Sequence, residues 1–291
     1  MSTQITTAFV EQYSSNVTML AQQMGSKLRG AVDVETIRGK NGFFDQIGAT
    51  AAVARTTRHG ATPQVDTPHS RRRVSLADYE WADLIDDLDK VRMLIDPTSS
   101  YAKAAAAAMG RSMDDVIITA FDADAATGVA GGSTTALPAG QKIGATADQT
   151  DGLTVAKLLE AKYILDNNDV DPSLKKYIVC GPKQIQDLLN TTEVKSSDFN
   201  TVKALAQGDI NSFMGFQFIM STRLSFDATN TDDRKIFAFT EDAVKLAIGS
   251  DVKARIDERN DKSYATQVYY SMAIGATRME EDKVVEIRCN E

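Results

Sequence analysis

Residues 238–289 read AFTEDAVKLAIGSDVKARIDERNDKSYATQVYYSMAIGATRMEEDKVVEIRC, and this stretch decides how the chain is built. Thr266, Val268, Tyr270, Met272 and Ile274 alternate with Ala265, Gln267, Tyr269, Ser271 and Ala273. Alternation with period two places one set on each face of a strand. Ile236–Phe239, Val244–Ile248 and Val252–Ile256 are further strand candidates. Glu281-Asp282-Lys283 turns the chain into a last strand over Val284–Arg288.

Upstream the period changes. Tyr101, Ala105, Ala108, Met109, Ser112, Met113, Val116, Ile117, Ala120 and Phe121 trace one helical face. The spacing predicts a helix over Thr98–Ala126, a rod of about 43 Å at the usual rise per residue. Asp96-Pro97 marks its start, because proline is pre-organised for a first helical turn. The preceding stretch from Trp81 also reads as helical and holds an acidic cluster: Asp83, Asp86, Asp87 and Asp89.

Two segments look unable to stand alone. Phe9, Tyr13, Val17, Leu20 and Met24 predict a short amphipathic helix near the start, followed by a glycine-punctuated stretch to Gly48. Val53–His59 and Arg71–Tyr79 look extended, joined by GATPQVDTPHS, so a long hairpin with a proline-rich tip is expected. That hairpin is locally basic through Arg55, Arg58, Arg71, Arg72 and Arg73. An isolated two-stranded ribbon is marginal in water, so it asks for a partner surface. Between Gly128 and Arg223 helix and strand alternate, as in a compact α/β lobe. After a flexible loop over residues 128–140, helices are expected from Val155 and Pro182, and strands at Tyr177–Cys180 and around Phe216–Met220.

Composition removes whole classes of function. The 291 residues carry 32 Lys and Arg against 40 Asp and Glu, a net charge of −8. Phosphate binding wants a basic surface, so nucleic acid is not expected as the main partner. Two cysteines, Cys180 and Cys289, and two histidines, His59 and His69, leave little for a disulfide framework, a zinc site or histidine catalysis. Met1–Val10 lacks the basic start and apolar run of a signal peptide, and no stretch reaches the 18 or so apolar residues of a spanning helix. No membrane partner and reduced, cytoplasmic cysteines are expected. Walker, GxGxxG, HExxH and GxSxG signatures are all lacking. Asn167–Asp171 hints at a calcium loop but puts Pro172 where the turn glycine belongs and Ile178 where the final glutamate belongs. Catalytic, metal and cofactor sites are therefore not expected. Exposed loop histidines, a solvated acidic face at Asp86–Asp89 and an inert core thiol at Cys180 are the plain readings. The triple arginine reads best as pairing with carboxylates of a neighbour.

Three stretches together carry a family resemblance: residues 79–121, residues 210–224 (INSFMGFQFIMSTRL) and residues 238–289, the last with a GA-x-R turn at Gly275, Ala276 and Arg278. In this order the chain resembles the major capsid proteins of tailed bacteriophages, with the α+β Hong Kong 97-like fold. The resemblance implies an N-terminal arm over residues 1–50 and an extended E-loop hairpin over 51–80. It implies a P-domain with a long spine helix over 81–150 and an α/β A-domain over 151–225. Residues 226–291 would return to the P-domain sheet. It further implies pentamers and hexamers assembling into an icosahedral head around a double-stranded DNA genome. A separate scaffolding protein is expected, because only about 50 residues precede the hairpin. A portal protein and a decoration protein are further partners, and packaged DNA would be contacted weakly and non-specifically. The chain would be made in the host cytoplasm and end in the virion. No lysine–asparagine crosslink is expected, since nothing marks a positioned general base. Inter-subunit contacts are expected from Arg55, Arg58, Arg71, Arg72 and Arg73 toward Asp83, Asp86 and Asp87. The rival readings are an encapsulin-like shell around a cargo enzyme and a soluble α/β enzyme sited in residues 151–224.

Overall fold

The computed structural model describes residues 20–86, 98–145, 151–190, 212–228 and 230–291. In chain order the strands are β1 (Asp33–Thr36), β2 (Asn41–Ile47), β3 (His69–Ser75) and β4 (Ala77–Ile85), then helix α1 (Thr98–Asp122). Strands β5 (Ala125–Thr127), β6 (Ser133–Thr135) and β7 (Lys142–Ile143) follow, then α2 (Val155–Asn167), β8 (Lys176–Cys180) and α3 (Pro182–Asn190). The chain ends with β9 (Ser212–Phe213), β10 (Phe216–Met220), β11 (Asp233–Thr240), β12 (Val244–Arg259), β13 (Ala265–Arg278) and β14 (Val284–Asn290). Among the described residues three sheets result, with strand orders β1-β12-β13-β4, β7-β14-β11-β8-β10-β9 and β2-β3-β5-β6.

The chain divides into two compact units: residues 1–26, 79–111 and 252–272, and residues 27–78, 112–251 and 273–291. In the first, the backbone at Gly25–Ser26 lies against α1 at Gly110, where an added Cβ would stand 2.3 Å from Gly25 C. Glycine in mid-helix weakens the helix by about 1 kcal/mol, and here it admits a crossing backbone. Arg111 Nη1 donates to Gln22 Oε1 at 2.8 Å and to Gln23 O at 3.1 Å beside it.

In the second unit α1 buries Met113, Ile117 and Phe121, a row continued from Ala105 and Met109 at every fourth position. Phe121 stacks on Phe237 of β11 at 5.2 Å between centroids, and Phe239 meets it at 4.5 Å. Asp114 is fully buried on the same helix. Its carboxylate accepts from the backbone N–H groups of Lys27, at 3.0 and 3.1 Å, and Leu28, at 3.1 Å. A buried carboxylate is tolerable when several donors meet it, and here they are donors of the chain's first described segment.

The six-stranded sheet is mixed. β8 runs parallel to β10 and antiparallel to β11, which in turn pairs antiparallel with β14. β11 and β14 thus extend the sheet of the α/β lobe, not the sheet of β12 and β13. Thr154 caps α2 by accepting from Lys157 N, and Leu158, Ala161 and Leu165 form its buried face. The expected helices from Val155 and Pro182 are both present.

Four expectations need correction. The first strand of the hairpin is β2, not Val53–His59, and its register runs from Asn41 opposite Ser75 to Ile47 opposite His69. Phe44 and Val74 bury against Ala247, with Ile37, Leu76 and Met279 around them. Residues 53–59 offer no such apolar anchor and are exposed coil. Residues 81–85, expected as helix, continue strand β4: Tyr79, Trp81, Asp83 and Ile85 fall on the less exposed face and Ala82 and Leu84 on the other. Val244–Ile248 and Val252–Ile256 are one continuous strand, because Gly249 and Ser250 continue the pairing instead of turning. The expected helix over residues 9–24 lies almost wholly outside the described residues. Residues 128–140, expected as loop, form the β5–β6 turn, strand β6 and a short 3-10 turn at Ala139–Gln141.

Replacing Asp114 by Ala should destabilise the chain by about 2–4 kcal/mol, because two backbone donors lose their acceptor. Asp114→Asn, which keeps one oxygen, should lose less; thermal unfolding of both variants checks this.

Candidate assembly surface

The described residues gather no group of three His, Cys, Asp or Glu side chains able to hold a metal ion. Among them no helix is long and apolar enough to cross a membrane. Both cysteine thiols are buried, and burial pushes each up to about 12. At that value the nucleophilic thiolate is scarce at neutral pH.

The chemistry of the chain is instead that of paired charge. The GA-x-R motif, expected as a turn, is the last stretch of β13, and its Arg278 is fully buried. Its Nη1 donates to Phe121 O at 2.7 Å and Ala123 O at 3.0 Å, and its Nη2 to Thr135 O at 2.9 Å. Helix α1 has no basic residue in its last turn. Arg278, 157 positions downstream, supplies the cation and donors that a helix C-terminus wants. Its Nε stands 3.6 Å from Glu281 Oε1. Arg72 holds the same carboxylate, with Nη2 at 2.8 and 2.6 Å from its two oxygens, and donates from Nε to Met279 O at 3.0 Å. Gly275 of the motif has the carbonyl of Ser75 where a Cβ would be, at 2.3 Å.

A second lattice closes the other side of α1's end. Asp122 accepts from Lys235 at 2.6 Å and Lys142 at 3.3 Å. Lys142 also stands 3.3 Å from Glu286, which is fully buried and takes Arg288 Nε at 2.9 Å. Arg288 also reaches Asp227 at 3.1 Å. Burial works against the charge on Asp122, but the two lysines outweigh it and hold the carboxyl below its ordinary 3.8. Lys235 is desolvated too, yet Asp122 keeps it above its ordinary 10.5.

The sheet β2-β3-β5-β6 has two unlike faces. Gly42, Phe44, Arg72 and Val74 point inward and are buried. The other face carries Phe43, Asp45 and Ile47 opposite Arg73, Arg71 and His69. Arg71 Nη2 donates to Asp45 Oδ2 at 3.3 Å, and its hydrogen bonding holds Asp45 below the ordinary carboxylate value. A cleft of about 760 Å3 opens there, lined by Asp45, Ile47, His69, Arg71, Val129 and Ser133 among others. From this root the chain runs out as residues 47–70, every one of them exposed.

The eight residues expected at subunit contacts therefore separate. Arg71 and Arg72 meet carboxylates of their own chain. Arg73 is half-buried on the open face. Arg55 and Arg58 are exposed in the 48–68 connection, Arg55 donating to Thr57 O at 2.9 Å. Asp83 is half-buried on β4, its Oδ1 accepting from Leu84 N at 2.8 Å, and Asp86 is exposed just after that strand. Asp87 lies outside the described residues. The sequence reading passed over Asp45, Glu281 and Arg278 as partners. Only the GA-x-R motif signalled one of them, since ion pairs so far apart in sequence leave no local pattern.

A model of the phage capsid protein family matches residues 5–291. The chain belongs to that family. No curated protein matches the sequence. Solved structures show the same fold at low identity. The capsid of cyanophage P-SCSP1u superposes with a TM-score of 0.78 at 18% identity, covering 100% of this chain and 96% of the other. The capsid of Ralstonia phage GP4 gives 0.75 at 11% identity, covering 97% and 95%. The capsid of a native GTA particle gives 0.71 at 11% identity, with both chains covered in full, 100% and 100%. The fold is the Hong Kong 97-like one, in a mixed α+β chain. This capsid protein is a structural subunit of the phage head, not an enzyme; it assembles with itself and resides in the virion.

Arg278→Ala should destabilise the capsid chain by about 3–5 kcal/mol, since it leaves the Phe121, Ala123 and Thr135 carbonyls without their donor and Glu281 short of a cation. Arg278→Lys should recover only part, because one ammonium cannot fork to three carbonyls; chemical denaturation measures both. Asp122 is depressed and Lys235 raised, so their pairing stabilises fully between the two ordinary values of 3.8 and 10.5. Stability should fall as pH drops below the first and as it climbs past the second, read as unfolding midpoint against pH. Neither Cys180 nor Cys289 should react with a thiol reagent at pH 8 until the chain is unfolded.

Proposed function

We propose that this subunit builds an icosahedral head of pentamers and hexamers around a double-stranded DNA genome. The observation that carries the reading is the fully exposed run 47–70, set on a hairpin whose root is tightly packed. Among the described residues every position of this run stays exposed, which supports a role on another copy. The E-loop is then the hairpin over residues 41–75 in place of 51–80, the N-terminal arm the chain before it, 81–150 the spine-helix part of the P-domain, 151–225 the A-domain, and 226–291 the return, with β11 and β14 joining the A-domain's sheet. Arg55 and Arg58 put cations near the E-loop tip, where carboxylates of a neighbour such as Asp83, Asp86 and Asp87 would meet them. Each exposed pair is worth under about 1 kcal/mol, yet it recurs at every copy of the shell. A scaffolding protein, a portal and a decoration protein complete the set of partners. A wall of net charge −8 suits a genome that must be held without sticking. Assembly begins in the host cytoplasm.

The loop root is closed, because Gly48 N–H donates to Pro68 O at 2.9 Å. Replacing residues 49–67 with an Asn-Gly turn should change stability by no more than about 0.5 kcal/mol while abolishing closed particles. Thermal unfolding and negative-stain microscopy of the two chains check both halves. Particles of normal yield from the shortened chain would refute the E-loop reading.

A further inference from the structure

Arg73 is the one arginine of its triplet for which the chain provides no anion. Arg71 is matched by Asp45 and Arg72 by Glu281. Among the described residues no carboxylate pairs with Arg73, and its Nε is buried with no hydrogen-bond partner. Yet the side chain is held in place. It stands opposite Phe43 on one side and Ala126 on the other. The β5–β6 turn passes over its stem at Gly131, whose φ is 67° and whose Cβ, if it had one, would lie 2.6 Å from Arg73 Cδ and 2.9 Å from Nε. A fixed cation with a desolvated nitrogen is poised for a charge-assisted pair. Beside it the face carries exposed apolar groups, Phe43 at 44%, Ile47 at 70% and Val129 at 87%, together with His69 and the closed Asp45–Arg71 pair.

We propose that this open face docks on the outer face of β4 in a second copy of the chain, with Asp78 or Glu80 of that copy pairing with Arg73. The proposal rests on the self-assembly reading and names the surface it uses. β4 is an edge strand of its sheet. Asp78 and Glu80 alternate on its exposed side, about 7 Å apart, and Leu84, 44% exposed, follows on that side. Among the described residues neither the Asp78 nor the Glu80 carboxylate makes a hydrogen bond or an ion pair within its own chain. The docking face thus offers one unmatched cation beside apolar groups and an Asp45–Arg71 pair already closed on itself, and its complement is two carboxylates beside a leucine. The two patches differ, so the contact is heterologous and propagates from copy to copy, as a ring requires.

The test uses the full chain under conditions where the unaltered protein forms particles. Absence of particles from the unaltered chain would count against the capsid reading itself. Given particles, Arg73→Glu should lower their yield about tenfold while the subunit still unfolds at its normal temperature. Adding Asp78→Arg or Glu80→Arg to that variant should restore the yield. Should Arg73→Glu fail to fold, Arg73→Gln, which keeps the stem under Gly131, takes its place; its yield should drop and should no longer fall with added salt as the unaltered chain's does. Normal assembly of the Arg73 variant overturns the proposal. So does a defect that neither reversed carboxylate relieves, which would assign Arg73 to another part of the neighbour or to a separate protein.

Discussion

A guanidinium sealed from water needs partners close by, and Arg278 is sealed completely, its Nη atoms on three carbonyls and its Nε, without a hydrogen bond among the described residues, 3.6 Å from Glu281. That requirement organises the second unit. To satisfy it, the end of α1, strand β6 and the turn at Glu281 must converge on one point. The helix gains in turn, because its last carbonyls and the negative end of its dipole find a cation that its own last turn lacks. Arg72 extends the arrangement to the hairpin through Glu281, so the root of the exposed 47–70 run is tied to the same cluster. The fully exposed run is therefore carried on one of the most constrained parts of the chain.

The charge lattice around Asp122 follows the same logic. Lys142, Lys235 and Arg288 alternate with Asp122, Asp227 and Glu286, so each buried charge has an opposite neighbour. Buried pairs cost desolvation and contribute more to uniqueness than to net stability. In a subunit that must fit many identical neighbours, a single well-defined conformation matters more than a few kcal/mol. The surfaces left open, the exposed loop, the outer face of the hairpin sheet and the edge strand β4, are the ones we propose that other copies complete.

Much of this was legible in the residues. Helix α1 was marked by apolar residues at helical spacing, and α2 and β13 by patterns of 3.6 and 2 that neighbouring elements do not disturb. Gly275, Ala276 and Arg278 were singled out as a motif, although the reason for it, a capped helix 157 positions upstream, was not visible. The failures share a cause. Val53–His59 and Asn41–Ile47 have similar strand propensity, and only the second finds Val74 and Ala247 to bury against. The acidic stretch from Trp81 reads as a solvated helix in isolation, and becomes strand because the edge of β13 is there to pair with it.

Periodicity, composition and charge by themselves determined the class of most elements and the lack of a familiar catalytic motif, and the resemblance of three stretches pointed to the family. These rest on local repeats and on residue types that no packing can change. Only the tertiary structure decided which arginine is matched and which is left over. Asp45 and Glu281 lie 26 and 209 positions from the arginines they pair with. Charge pairing acts through distance in space, and that distance is set by the fold.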